Sequence, residues 1–178
     1  MRGMTAYPEE IRTDRLLLRR VGPGDLRAAV EVLTDPEAGR HDAAGVPTPE
    51  EARELLAEWR EHWAREGIGY WAVVLPGTGE VIGFGGLRHH RLGGEPTLNL
   101  FYRFSPRHRG RGYAPEMARA AVEWAGRALP DRPVVIIVDH GNAPSRRVAE
   151  KLGFAHVGES TTIDGPVLVY RRQGATAG

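Results

Sequence analysis

Ser105-Pro106-Arg107-His108-Arg109-Gly110-Arg111-Gly112-Tyr113-Ala114 is the stretch on which the reading of this chain turns. An apolar run, Leu98 to Phe104, precedes it, and a helical pattern from about Gly112 to Ala128 follows, so the stretch joins a strand to a helix. Glycine at 110 and 112 lets the backbone approach a ligand closely. The N-terminus of a helix adds unpaired N–H groups and the positive end of a dipole. Those features suit a pyrophosphate. Arg107, Arg109 and Arg111 add cations, and Tyr113 and Ala114 open the helix. A glycine turn with solvated arginines would read the same in isolation, so the surrounding order of elements has to decide.

The chain has 178 residues, with 24 Lys plus Arg against 23 Asp plus Glu, a net charge of +1. That length favours one domain spanning 1–178, with its core at about 11–171. Glycine (23) and proline (13) together make about a fifth of the chain and fall at the ends of periodic segments, which signals many turns. There are no cysteines, which excludes disulfides, thiolate metal sites and a cysteine nucleophile, and no metal is expected. No apolar run approaches a membrane span, and Met1 to Glu10 lacks the apolar core of a signal peptide, so a cytoplasmic protein with no membrane partner is expected. Lys151 is the only lysine; arginine is used throughout, so it carries information only where its position is special.

Outward from the quoted stretch the chain alternates between periods. Ile11 to Arg20 begins with turn-prone polar residues and then runs into a first strand at Leu16-Leu17-Leu18, followed by a helix capped by Asp25 and stopped at Asp35-Pro36. Thr48 and Glu51 form a capping box with Pro49 first in the next helix, whose stripe is Ala52, Leu55, Leu56, Trp59 and Trp63 and whose stop is Gly67. Strands are expected at Tyr70 to Leu75, Val81 to Arg88 and Leu98 to Phe104, the first two joined by a turn at Pro76-Gly77-Thr78-Gly79. Val134 to Val138 is an unbroken β-branched run, as in a strand buried on both faces. Asn142 opens a short helix ending at Leu152-Gly153. Phe154 to Gly158 and Val167 to Arg171 close the fold, and Gln173 to Gly178 reads as a loose tail. This is one mixed α/β domain.

Strand, glycine loop, helix, strand, Asn142-x-x-Ser145 helix and Leu152-Gly153-Phe154, in that order, resemble the GNAT superfamily of acyl-CoA-dependent N-acetyltransferases. Arg107-x-x-Gly110-x-Gly112 is similar to its pyrophosphate loop. Arg12-Thr13-Asp14-Arg15-Leu16-Leu17-Leu18-Arg19, with Gly110 to Glu116, resembles the branch typified by ribosomal-protein N-terminal acetyltransferases. The resemblance implies an α/β (α+β) domain: a mixed, mostly antiparallel sheet, flanked by helices and splayed between the strand ending at Phe104 and the strand Val134 to Val138. It implies acetyl-CoA as cosubstrate, with pantetheine in the gap near the backbone of Tyr102 and Phe104, held by Asn142, and Ser145 near the leaving sulfur.

In such a reaction a neutral amine attacks the thioester carbonyl. The oxyanion needs a preorganised donor, here a backbone N–H of the splayed strand, and the leaving sulfur takes a hydrogen bond or proton from a hydroxyl. With no cysteine to carry the acetyl group, direct transfer in a ternary complex is expected. Many relatives place an acidic residue at the position of Asn99, which cannot take a proton. Glu95 acting through water, or His89 or His90 titrating near neutrality, can serve instead, and an acceptor with a low amine pKa needs no base. The acceptor, a small molecule or a protein N-terminus, is expected between Arg40–Thr48 and the connection Ser160–Gly165, where His41, Asp42 and Asp164 can meet a cation.

Three rival readings remain. A nicotinamide-binding oxidoreductase would use Gly110-x-Gly112 and Asp139, but Pro115 stands where a third glycine belongs, and Asp139 follows Gly112 by 27 residues instead of about 20. Arg103, Arg107, Arg109 and Arg111 interleaved with Phe101, Tyr102 and Phe104 suit a nucleic-acid platform, yet a net charge of +1 argues against a nucleic-acid partner. An inactive acyl-CoA sensor would share the same loop. Either a monomer or a homodimer is compatible with the chain.

Overall fold

The computed structural model describes residues 10–172, and the tail expected at Gln173–Gly178 lies outside them. Within them the chain forms β1 (Glu10–Arg12), β2 (Leu17–Arg20), α1 (Leu26–Leu33), α2 (Pro49–Glu66), β3 (Tyr70–Leu75), β4 (Glu80–Leu92) and β5 (Glu95–Phe104). α3 (Tyr113–Ala128), β6 (Val134–Asp139), α4 (Ala143–Lys151), β7 (Phe154–Thr162) and β8 (Gly165–Arg172) follow. The eight strands make one open sheet in the order β1-β2-β3-β4-β5-β6-β8-β7. Every neighbouring pair is antiparallel except β5 with β6. No helix among the described residues is long and apolar enough to cross a membrane.

Local chemistry accounts for the boundaries, including those that differ from the sequence reading. The strand expected at Leu16-Leu17-Leu18 is β2, and the turn-prone residues before it form a turn that pairs it with the additional short strand β1: Thr13 N–H donates to Leu16 O at 2.9 Å and Leu16 N–H to Thr13 Oγ1 at 3.0 Å. Asp25 precedes α1 but does not cap it with its side chain. Its buried carboxylate reaches back instead to Gly22 N–H at 2.8 Å and takes both Nη atoms of Arg19 at 2.9 and 2.7 Å. The capping box of α2 forms as expected, with Glu51 N–H on Thr48 Oγ1 at 3.2 Å and Thr48 N–H on Glu51 Oε2 at 2.7 Å. β4 and β5 outrun their apolar cores: Arg88–Leu92 pairs with Glu95–Asn99 around a Gly93-Gly94 turn, so backbone pairing extends the ladder into polar sequence.

Successive residues of a strand face opposite sides, and this sorts the helices. Phe84 and Phe101 meet Trp59 of α2, with ring centroids 5.6 and 6.1 Å apart. On the other face Gly85 admits α3: a Cβ there would stand 2.7 Å from Met117 Cε and 2.6 Å from Phe101 O. α2 thus covers one side of the central strands and α3 the other. A core of Trp59, Trp71, Phe84, Leu98, Leu100 and Met117 is buried between them.

β5 and β6 pair only at Leu98 with Val134 and Asn99 with Val135. Beyond Asn99, β5 stays with β4 up to Phe104 opposite Gly83, while β6 follows β8 up to Asp139 opposite Val167. The sheet therefore opens into a V with its vertex at Asn99, as the splay expectation required.

Candidate active site

The V opens into a cleft of about 640 Å³. Its walls are Leu100–Phe104 of β5 and Ile136, Ile137 and Asp139 of β6; its rim is the loop and first turn of α3, the start of α4, and Arg40–Asp42. Two hydrogen bonds set the phase of β5: Leu98 N–H donates to Pro133 O at 2.9 Å, and Ser105 N–H donates to Ile82 O of β4 at 2.8 Å. By strand alternation, the N–H and C=O groups of Leu100, Tyr102 and Phe104 point into the gap, where β6 has turned away. Backbone donors and acceptors aimed into a cleft are what an amide-bearing arm such as pantetheine needs.

At the rim, Gly110 and Gly112 have φ of 73° and 79°, left-handed values that favour glycine. Gly112 caps α3, and the N–H groups of Tyr113 and Ala114 have no acceptor within the helix. Of the three loop arginines, only Arg109 lines the cleft, its guanidinium donating to Glu37 O. Arg107 turns outward to Glu80 at 3.0 Å, beside His108, which meets the same carboxylate at 3.1 Å. Arg111 is exposed outside the cleft and presents its carbonyl to Arg15 Nη1 at 2.8 Å. The cationic ring expected from Arg107, Arg109 and Arg111 is therefore one cation at the cleft and two outside it, because nearby Glu80 claims Arg107 and the Arg111 side chain extends into solvent.

On the α3–α4 side, Tyr102 OH donates to Ser145 Oγ at 3.3 Å, and Ser145 N–H donates to Asn142 Oδ1 at 3.1 Å. Asn142 is thus the side-chain cap of α4, and Asn142 and Ser145 both line the cleft. Burial raises the Tyr102 pKa, outweighing the opposing hydrogen bond with Ser145, so the phenol stays protonated and a donor. Tyr102 and Phe104 share this face, which is that of Gly85 and Met117.

Phe101, Arg103 and Asn99 lie on the α2 face. Arg103 forms an ion pair with Asp42, whose Oδ2 is buried. The next residue, Ala43, donates its N–H to Asp139 Oδ2 at 2.9 Å. The segment joining α1 to α2 is therefore fastened to both arms of the V. His41 lines the cleft beside Asp42.

The other expected site residues lie apart. Glu95 is held by Arg171 through two hydrogen bonds of 2.8 and 3.0 Å, which keep its carboxyl below the usual range. His90 and Asn99 are on the ladder at and below the vertex and do not line the cleft. The connection Ser160–Gly165 is not a loop: β7 runs to Thr162, which pairs with Gly165 across a two-residue turn, and Asp164 is exposed there, away from the cleft. Ile136, Ile137, Asp139 and His108 line the cleft although the sequence reading assigned them no part in an acetyltransferase site.

The acetyltransferase (GNAT) domain family matches residues 15–155. The chain belongs to the GNAT family of acetyltransferases. It is similar to the uncharacterized protein YkkB of Bacillus subtilis (strain 168), with 28% identity over 162 residues that cover 90% of this chain and 94% of that one. The crystal structure of an acetyltransferase from Agrobacterium tumefaciens str. C58 matches at 30% identity and a TM-score of 0.80, over 93% of this chain and 94% of that one. The fold is also that of AAC(6')-Ib, solved with ribostamycin and coenzyme A, at 21% identity and a TM-score of 0.72, over 89% and 93% of the two chains. In this GNAT acetyltransferase the splayed strands, the glycine loop and the α4 cap form one continuous cleft.

Proposed function

We propose that this GNAT acetyltransferase moves the acetyl group of acetyl-CoA directly to a primary amine. The observation that carries the reading is the V between β5 and β6, with glycine-capped α3 at its rim and the Tyr102–Ser145 pair on one wall. A coenzyme A-bound protein of the same fold supports acetyl-CoA as the donor. The pyrophosphate is assigned to the loop Arg109 to Ala114, where free N–H groups and the Arg109 charge favour an anion. The pantetheine amides take the gap-facing backbone of Tyr102 and Phe104, with Asn142 beside them.

The amine approaches from the α2 face and attacks the carbonyl carbon. The C–N bond forms, the oxyanion is met by a gap-facing backbone N–H such as that of Leu100, and collapse breaks the C–S bond. Ser145 Oγ already accepts from Tyr102, so its own hydrogen is free to hydrogen-bond the departing sulfur, which leaves as the CoA thiolate. The proton lost by the amine leaves to water. Glu95 is engaged by Arg171, and Asn99 is not a base, so an amine already neutral in solution is the reacting species.

Isothermal titration with acetyl-CoA, paired with a screen of amines for CoA release, tests this. Micromolar-range binding with acceptor-dependent CoA release is expected. Absence of acetyl-CoA binding would overturn the reading, and binding without turnover on any amine would make the protein an acyl-CoA sensor.

A further inference from the structure

We propose that the acceptor is an amino acid or a similar small amine bearing a carboxylate, and that Arg103 binds that carboxylate in the place Asp42 takes in the structure. The proposal rests on the acetyltransferase reading above and names the substrate class of the same site.

Arg103 is on the α2 face of β5, two residues from Phe101 and inside the cleft, with a side chain only 14% exposed. A guanidinium so buried needs an anion, since breaking a buried pair leaves an uncompensated charge. Burial lowers the Arg103 pKa, in line with that need. The partner it has, Asp42, comes from the connection between α1 and α2, not from a packed element, and its side chain is 23% exposed. Asp42 can swing toward solvent; Arg103, anchored on a central strand, cannot. The guanidinium fork matches a carboxylate geometrically, so a substrate carboxylate is a like-for-like replacement.

The charges of the cleft argue against the opposite choice, a polycationic acceptor. Its acidic side chains are Asp42 and Asp139, and both are committed, the first to Arg103 and the second to Ala43 N–H. Of the arginines lining it, Arg40 pairs with Glu37 at 3.2 Å and Arg109 is assigned to the pyrophosphate, which leaves Arg103 as the cation on the acceptor side. Phe101, whose ring centre lies 6.0 Å from the Arg103 guanidinium, provides an apolar wall beside it for a modest side chain. An amino acid places its amine and carboxylate on one carbon, so Arg103 would hold the amine close to the thioester.

The test compares CoA release with glycine, L-alanine, L-methionine and L-phenylalanine against their carboxamides, and with the aminoglycoside kanamycin. The carboxamides have the less basic amine, so amine ionisation alone would favour them. Preference for the carboxylates is expected, with Arg103→Met raising their KM about 30-fold and leaving the carboxamides nearly unaffected. Asp42→Asn removes the competing anion and is expected to lower KM for the carboxylates. Equal use of carboxamides by the wild-type enzyme would overturn the proposal. So would a preference for kanamycin that Asp42→Asn abolishes, since Asp42 would then be the cation anchor. Calorimetry with acetyl-CoA alone separates the two readings: if it binds and the carboxylates are not preferred, only this proposal fails; if it does not bind, the acetyltransferase reading fails.

Discussion

Arg15 and Glu116, 101 positions apart in the chain, are tied by three contacts. Arg15 N–H donates to Glu116 Oε1 at 2.9 Å, Arg15 Nε to Oε2 at 2.7 Å, and Arg15 Nη2 lies 2.6 Å from Oε2. Thr13 Oγ1 adds a bond of 2.6 Å to Oε1, and the Arg15 guanidinium lies 4.6 Å from the centre of the Tyr113 ring. The β1–β2 turn thereby grips the first turn of α3, where the phosphates are assigned.

Glu116→Gln should therefore weaken acetyl-CoA about tenfold and cost on the order of 1–2 kcal/mol in stability, the lower end if solvent screens the half-exposed Arg15. Burial pushes the Glu116 carboxyl up, but the bonds from Thr13 and Arg15 prevail and its pKa is lowered. A depressed folded pKa contributes stability above the unfolded value, about 4.3, and loses it as pH falls through the folded one. Melting curves of both proteins should differ near pH 6 and converge toward pH 3. A constant difference would assign the effect to packing.

Replacing Gly112 by Val imposes a β-branched side chain at a φ of 79°. Its Cβ would also stand 3.3 Å from Arg15 Nη2. Acetyl-CoA binding should be lost in calorimetry while the far-UV spectrum is kept, because the strain is confined to the loop. Unchanged affinity would remove the loop from the phosphate site.

For Ser145→Ala, kcat should fall on the order of 100-fold with little change in acetyl-CoA affinity, since a donor to the leaving sulfur acts mainly in the transition state. Tyr102→Phe should show a smaller loss in the same direction, because it polarises Ser145 rather than meeting sulfur itself. Steady-state kinetics with a working acceptor decide this, and full activity in Ser145→Ala would leave Ser145 a helix residue only.

Without an enzymic base, kcat/KM should rise with pH up to the pKa of the acceptor amine, and the inflection should move when the acceptor is exchanged. A peptide α-amino group with a pKa near 8 is already about a tenth neutral at pH 7; the amine of a free amino acid, beside its own carboxylate, is more basic, so its rate should keep climbing to a correspondingly higher pH. One inflection shared by all acceptors, lost on mutating Glu95 or His90, would contradict this.

His62 of α2 is buried, and neither ring nitrogen has a hydrogen-bond partner among the described residues. Burial, reinforced by the Arg88 charge, lowers its pKa from 6.5 to about 4. The unfolded chain then binds the extra proton between those values, so stability is full above pH 6.5 and falls as pH drops toward 4. In His62→Phe the pH dependence of denaturant midpoints across this window should flatten. An unchanged slope would place the titration elsewhere.

Much of the molecule is written in local sequence, because caps, turns and periodicity act over a few residues. Thr48, Pro49, Glu51 and Gly67 bound α2 through local chemistry alone, and the β-branched run Val134 to Val138 reads as an inner strand. Glycines 110 and 112 mark the loop for the same reason: their backbone conformation is a property of the residue. Which arginine faces the cleft was not legible, since Arg107 and Arg109 differ only in that folding brings Glu80 to one and Glu37 O to the other. The same holds for the Arg15–Glu116 clamp and the Arg103–Asp42 pair. Each joins groups whose local surroundings are unremarkable, and their meeting depends on where the β5–β6 divergence and the α1–α2 connection lie in space. Local chemistry determined the elements; long-range packing decided which charges meet, and so what the cleft can hold.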